Sequence, residues 1–243
     1  MKYNFILLVV IASLQAFSQP NSNPLNPKIT AKWAPTGLLV GSASFQAEYN
    51  FGGKHSLTAN IGLPVNVQHS FTYDGRDAFF DMKATSFLAG YRTYLSRKRL
   101  AGLYLEPFFK YVHHTSEGEG TGTLDNQPVT FDFSNEYNAV GVGLQLGAQF
   151  LISKRIVIDL FFLGPEINSA QNTLRAIERS TVLQWNAVEA KEAEDNIREF
   201  INQFPFIRNK TNVMVDQNNR TVTADFKGAL PGFRAGISLG LAF

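Results

Sequence analysis

The sequence predicts an all-β membrane protein: an eight-stranded, antiparallel up-and-down transmembrane β-barrel with an α-helical and hairpin insert between strands seven and eight. Three observations predict it. Pro231 to Phe243 puts Phe233, Ala235, Ile237, Leu239, Leu241 and Phe243 on one face and Gly232, Arg234, Gly236, Ser238, Gly240 and Ala242 on the other, because side chains alternate with period two along a strand. That length suits one bilayer crossing by a tilted strand, about 9–11 residues. Past the leader, no apolar run approaches the ~20 residues of a spanning helix, so a bilayer crossing requires a closed barrel with every backbone group paired between strands. Finally, the connections after strands two, four and six are short and those after three, five and seven long, the first external turn alone being short, much as inner turns and outer loops are arranged in such barrels.

Residues 1–18 read as an export signal: Lys2 in a basic start, the apolar run Phe5 to Leu14, and Ala16-Phe17-Ser18 as a small-x-small cleavage site. The barrel is expected over residues 19–243 and the location in the outer membrane. With no Cys, disulfides and thiolate metal sites are excluded. A net charge of +2 provides no basic field for nucleic acid.

The first strand is expected over Pro27 to Ala34 and the second from about Leu38 to Phe51, with Phe45, Tyr49 and Phe51 on its oily face and Ser44, Gln46, Glu48 and Asn50 opposite. Gly52-Gly53-Lys54 turns into the third, His55 to Asn66. A loop, Val67 to Lys83, leads to the fourth, Ala84 to Leu95. The basic turn Ser96 to Leu100 leads to the fifth, Gly102 to His113, where Pro107 forfeits a ladder bond. A Gly-rich loop, Thr115 to Glu136, precedes the sixth, Tyr137 to Leu151, whose Val140, Val142, Leu144, Leu146, Ala148 and Phe150 oppose Gly141, Gly143, Gln145, Gly147 and Gln149. Ser153-Lys154-Arg155 leads to the seventh, Ile156 to Leu163. The insert Gly164 to Leu230 follows. Leu174, Ile177, Val182, Trp185, Val188, Ala193, Ile197, Phe200, Ile201 and Phe204 recur at steps of mostly three to five, which predicts a helix that Pro205 stops. A hairpin is expected around Asp216 to Asn219. Strand parity places the insert outside the cell.

A secreted lipocalin-like barrel has the same period with oily lumen and polar exterior. Small residues on the polar face, aromatics near strand ends on the oily face and the final Phe243 favour the membrane form. The segments Tyr104-Leu105-Glu106-Pro107-Phe108-Phe109-Lys110-Tyr111, Phe161-Phe162-Leu163-Gly164-Pro165 and Gly232 to Gly240 resemble the small outer-membrane β-barrel domain proteins of Gram-negative bacteria, within them an uncharacterised group with a helical insert before the last strand. The resemblance implies Phe243 as an insertion signal read by the barrel-assembly machinery, and outer-membrane lipid as surroundings. It implies no activity and no cofactor.

The polar faces place Lys32, Glu48, Arg92, Glu106, Lys110, Asp159 and Arg234 in the lumen, where charges removed from water need partners. They are expected to form an ion-pair network that seals it, with Arg92 beside Glu106. The alternative is a small-solute channel. A His-x-Ser pair, His114 and Ser116, sits at the outer rim with His113, and its spacing resembles outer-membrane enzymes that remove acyl chains from lipid A. Strand parity and the absence of a third fixed group count against that hydrolase reading. His55 and His69 lack metal-ligand spacing, and Gly118 to Gly122 lacks the Lys-Ser/Thr of a phosphate loop. On the insert, Trp185, Ile197 and Phe200 form a candidate face for a protein partner, or a stripe buried on the insert's own hairpin. The expected role is non-enzymatic, structural or partner-binding through the extracellular loops.

Overall fold

The computed structural model describes residues 26–243 apart from 74–75, 97, 125–126 and 180–183. The expected export signal and Val182 lie outside the described residues. Period-two patterning produces the strands β1 (Ile29–Ala34), β2 (Ser42–Gly52), β3 (His55–Pro64), β4 (Val67–Tyr73), β5 (Arg76–Tyr94), β6 (Gly102–Leu124), β7 (Gln127–Ile152), β8 (Ile156–Leu163), β9 (Pro165–Glu178), β10 (Thr211–Asp216), β11 (Thr221–Phe233) and β12 (Gly236–Ala242), with a helix α1 (Ala187–Asn202). All pairings are antiparallel. They run β1–β2–β3–β5–β6–β7–β8–β12 and return from β12 to β1, a closed ring of hydrogen-bonded strands. Past Gly164 the wall continues upward, with β9 taking over from β8 beside β7, and β11 from β12 beside β9.

Three expected loops are therefore largely ladder. The stretch 67–83 is β4 paired to β5, 115–136 is the upper hairpin of β6 and β7, and much of 164–230 is β9, β10 and β11. Leu174 and Ile177, assigned by periodicity to a helix, lie in β9. From Thr115 to Thr123 both faces carry only polar residues and glycine, so the alternation that marks a strand disappears while its ladder bonds persist; β9, β10 and β11 instead carry apolar residues that pack in the head. The helix is shorter than expected and begins at an unforeseen capping box. The Asn186 side chain accepts from Val188 N at 2.8 Å and Glu189 N at 3.0 Å, and Glu189 accepts from Asn186 N at 2.7 Å. The expected hairpin is present as β10 and β11, its turn held by Asp216 Oδ1 accepting from Asn218 N and Asn219 N.

The apolar faces of the ring point outward and the polar faces inward. Phe45, Tyr49, Phe51, Leu57, Ile61, Phe87, Tyr91, Leu103, Phe109, Tyr111, Val142, Leu144, Phe150, Phe162, Leu239 and Leu241 are exposed, whereas Ser56, Thr58, Asn60, Gln145, Gln149 and Ser238 are buried. The reversed polarity of a lipocalin-like barrel is not observed. Pro107 is kept within β6; the β5–β6 register runs to Gly90↔Phe108 and resumes at Thr93↔Leu105, a local lapse opposite the missing N–H, while β6–β7 pairing is continuous. Gly147 is required by the interior, since a Cβ there would collide with the Tyr104 ring. After β1 the chain leaves the wall as a 3-10 helix, Pro35–Val40, and re-enters β2 through Gly41, whose φ of 74° favours glycine.

Candidate functional site

The lower interior is filled by charges from five strands, β1, β2, β5, β6 and β8. Lys32 on β1 donates through Nζ to Asp159 Oδ2 at 2.6 Å, Gln149 Oε1 at 2.7 Å and Glu48 Oε2 at 3.2 Å. Arg92 on β5 donates from Nε to Glu106 Oε2 at 2.7 Å, and from Nη1 to Gln149 Oε1 at 2.8 Å, Asp159 Oδ2 at 2.9 Å and Glu48 Oε2 at 3.3 Å. Its Nη2 also lies 2.7 Å from Glu106 Oε2, an ion-pair contact without hydrogen-bond alignment. The remaining carboxylate oxygens are met by hydroxyls: Tyr94 donates to Glu48 Oε1 at 2.6 Å, Tyr104 to Asp159 Oδ1 at 2.7 Å, and Thr58 to Glu106 Oε1 at 2.5 Å. The guanidinium of Arg92 lies 3.6 Å from the centroid of the Tyr104 ring. Gln149 completes the layer by donating to the carbonyl of Leu100, which is itself buried under the network in the turn between β5 and β6.

The ion-pair side chains Lys32, Glu48, Arg92, Glu106 and Asp159 are all 0% exposed. Every carboxylate oxygen has a donor, which is the condition for charges to be held out of water. The carboxylates are thus satisfied within the layer itself.

Two of the expected seven members are elsewhere. Lys110 pairs with Glu166 on β9, an acid hidden from the sequence reading because its strand was taken for the start of the insert. Arg234 donates to Gln145 and lies with its guanidinium 4.4 Å from the Phe161 ring centroid and 5.9 Å from that of Phe108. The sequence reading missed Tyr94, Tyr104, Gln149 and Thr58 as network members, although Tyr94 shares the inward face of β5 with Arg92 and Tyr104 that of β6 with Glu106. Above this layer a cavity of about 350 Å³ is lined by Ser44, Asn60, Ser86, Lys110, Phe161 and Arg234, with the 3-10 helix at its edge. Val112, Tyr137, Ala139, Ala170, Phe226 and Leu230 pack together above it.

The insert is a head built on the upper sheet. Trp185 is not an exposed partner residue: it is 3% exposed, packs with Ala190, Ala193, Val213 and Val222, and donates from Nε1 to Glu178 Oε2 at 2.7 Å. Ile197 packs against the same cluster, and only Phe200 of the expected face is exposed, in an edge contact with Phe204. The stripe is buried because β10 and β11 offer it an apolar surface that helix periodicity alone does not reveal.

At the rim, β6 continues through His113, His114 and Ser116. His113 Nδ1 lies 2.7 Å from Asn138 Oδ1, and burial together with His113 pushes the His114 imidazole below its ordinary value. Among the described residues no hydrogen bond joins His114 to Ser116, and no group of His, Cys, Asp and Glu has the arrangement of a metal site. Phe243 is exposed at the lower end of the belt, its backbone bonded to Lys28 and Ile29 of the opening segment. No protein-family model matches the chain, and no curated protein matches it significantly.

Proposed function

We propose that the ring is an eight-stranded outer-membrane barrel without catalytic activity, its lumen sealed, that holds a sheet-and-helix head outside the cell for a structural or partner-binding role. Counted around the ring, the eight staves are β1, β2, β3 continued by β4, β5, β6, β7, β8 continued by β9, and β11 continued by β12. The apolar belt supports the bilayer: soluble monomers rarely leave a contiguous apolar patch beyond a few hundred Å² in water. Eight strands enclose an interior that side chains just fill, and the observation that carries the sealed reading is the buried Lys32–Glu48–Arg92–Glu106–Asp159 layer, in which every carboxylate oxygen has a donor. A partner would meet the head on the apolar residues it leaves exposed, among them Val188, Phe200, Phe206 and Met214.

Planar bilayers holding the purified protein test the seal. The expected trace has no regular conductance steps. Steady openings whose size changes in Glu106→Gln would replace the sealed barrel by a small-solute channel.

A further inference from the structure

The wall of the barrel is interrupted beside the interior cavity. The β1–β12 ladder ends at Trp33↔Leu239, and β1 stops at Ala34. The strand above β12 continues as β11, but over Lys227 to Phe233 it pairs only with β9, because β10 covers only Thr221 to Phe226 on its other side. The place that a continued β1 would fill is left to the 3-10 helix. That helix folds toward the interior, with Thr36 against Gly236 and Gly37 against Ser44. Leu38, Leu39 and Val40 remain 36%, 69% and 50% exposed on it.

A backbone edge without a partner is not tolerated against hydrocarbon unless it borders a polar or water-filled space. Here it borders the 350 Å³ cavity, whose lining includes Phe233, Arg234 and Ala235 on one side of the break and Thr36, Gly37 and Val40 on the other. Pro231 in the open edge has no N–H to leave unpaired. The cavity wall carries two cations: Lys110, which is paired with Glu166, and Arg234, which has no carboxylate partner among the described residues. Asn60 projects from the wall with 6% exposure and no side-chain hydrogen bond among the described residues. The floor is the closed ion-pair layer and the roof is the apolar cluster around Phe226, so the break in the wall is the side on which an apolar belt meets the cations.

We propose that this cavity takes the anionic headgroup of a single-chain amphiphile, carboxylate or phosphate, which enters sideways from the outer leaflet through the interrupted wall. The headgroup accepts from Arg234, Lys110 and Asn60. The acyl chain leaves between Phe233 and the Leu38–Val40 turn and stays in the bilayer. Arg suits the headgroup because its fork of donors matches a carboxylate or phosphate in two places, and the volume lies within the range of small-molecule pockets, about 300–1,000 Å³. This inference rests on the membrane-barrel reading.

Native mass spectrometry of the full chain released from a neutral detergent tests it, with hexadecanoate as the probe. The expected result is one retained hexadecanoate per barrel, with retention at least about tenfold weaker in Arg234→Gln, a difference of about 1.4 kcal/mol. Asn60→Leu, which conserves volume, should weaken it in the same direction should Arg234→Gln fail to fold. The methyl ester of the same chain should not be retained. Equal retention of the ester would overturn the headgroup site, and equal retention of butyrate or inorganic phosphate would overturn entry from the bilayer in favour of a small anion from water. Failure to retain hexadecanoate by a protein that still inserts into liposomes would overturn the inference alone. Failure to insert at all would overturn the barrel reading beneath it.

Discussion

Replacing Arg92 by Met should be among the most damaging single changes in the interior. Met keeps much of the stem's volume, so the loss is electrostatic rather than a cavity. Arg92 touches all three acids of the layer, at 2.7 Å from Glu106, 2.9 Å from Asp159 and 3.3 Å from Glu48. Without it Lys32 still faces Glu48 and Asp159, but Glu106 keeps only the hydroxyl of Thr58. Removing one partner of a buried pair costs about 3–5 kcal/mol, because the other charge remains out of water. The contacts are not independent, so their separate values do not add. Urea titration of the detergent-folded protein, followed by tryptophan fluorescence and by electrophoretic mobility, measures the loss from the shift in midpoint. The double variant Arg92→Met/Glu106→Gln should cost less than the sum of its singles by at least about 1.5 kcal/mol, since contacting charges couple. A single variant within about 1 kcal/mol of the parent would refute the reasoning and mean that water reaches the layer.

Three further outcomes are expected. An epitope at Asn218 should be labelled on intact cells and one within Ser153 to Arg155 should not; the opposite pattern inverts the topology. Trp185→Ala should loosen the head by about 3–5 kcal/mol through its lost packing, seen as faster hydrogen exchange in α1 and β10 with the ring amides unchanged, and exchange rising equally in β1 and β12 would mean that head and ring unfold together. His114→Ala and Ser116→Ala should leave the acyl-chain pattern of extracted lipid A unaltered; a changed pattern would revive the hydrolase.

The ring was legible wherever one face is oily. In β7 the run from Val140 to Phe150 fixes both the strand and its orientation, and the same parity places Arg92 opposite Glu106. Legibility fails above the belt. Thr115 to Thr123 carries only polar residues and glycine on both faces, so nothing in its composition separates a ladder from a loop. Glu166, read as the start of the insert, was likewise not recognised as the partner of Lys110. The helix was recognised by spacing, but its start depends on a side-chain cap at Asn186 and its buried face on sheet contacts that no single-segment pattern contains.

The ion-pair layer also bears on the order in which the chain comes together. Lys32 and Asp159 are separated by 127 positions, Arg92 and Asp159 by 67. β1 and β8 have no ladder with each other; each is joined to β12, the last strand described. Before β12 arrives, the Lys32–Asp159 contact cannot form and the layer lacks one of its sides. A sheet still waiting for its final strand therefore holds acids and bases that find each other only as the ring closes. Contacts so distant in sequence are slow to form, and here they reward the last event rather than an early one. Closure becomes an all-or-none step: a ring joined in a slipped register faces mismatched charges across its floor and reopens, and the correctly joined one is held shut.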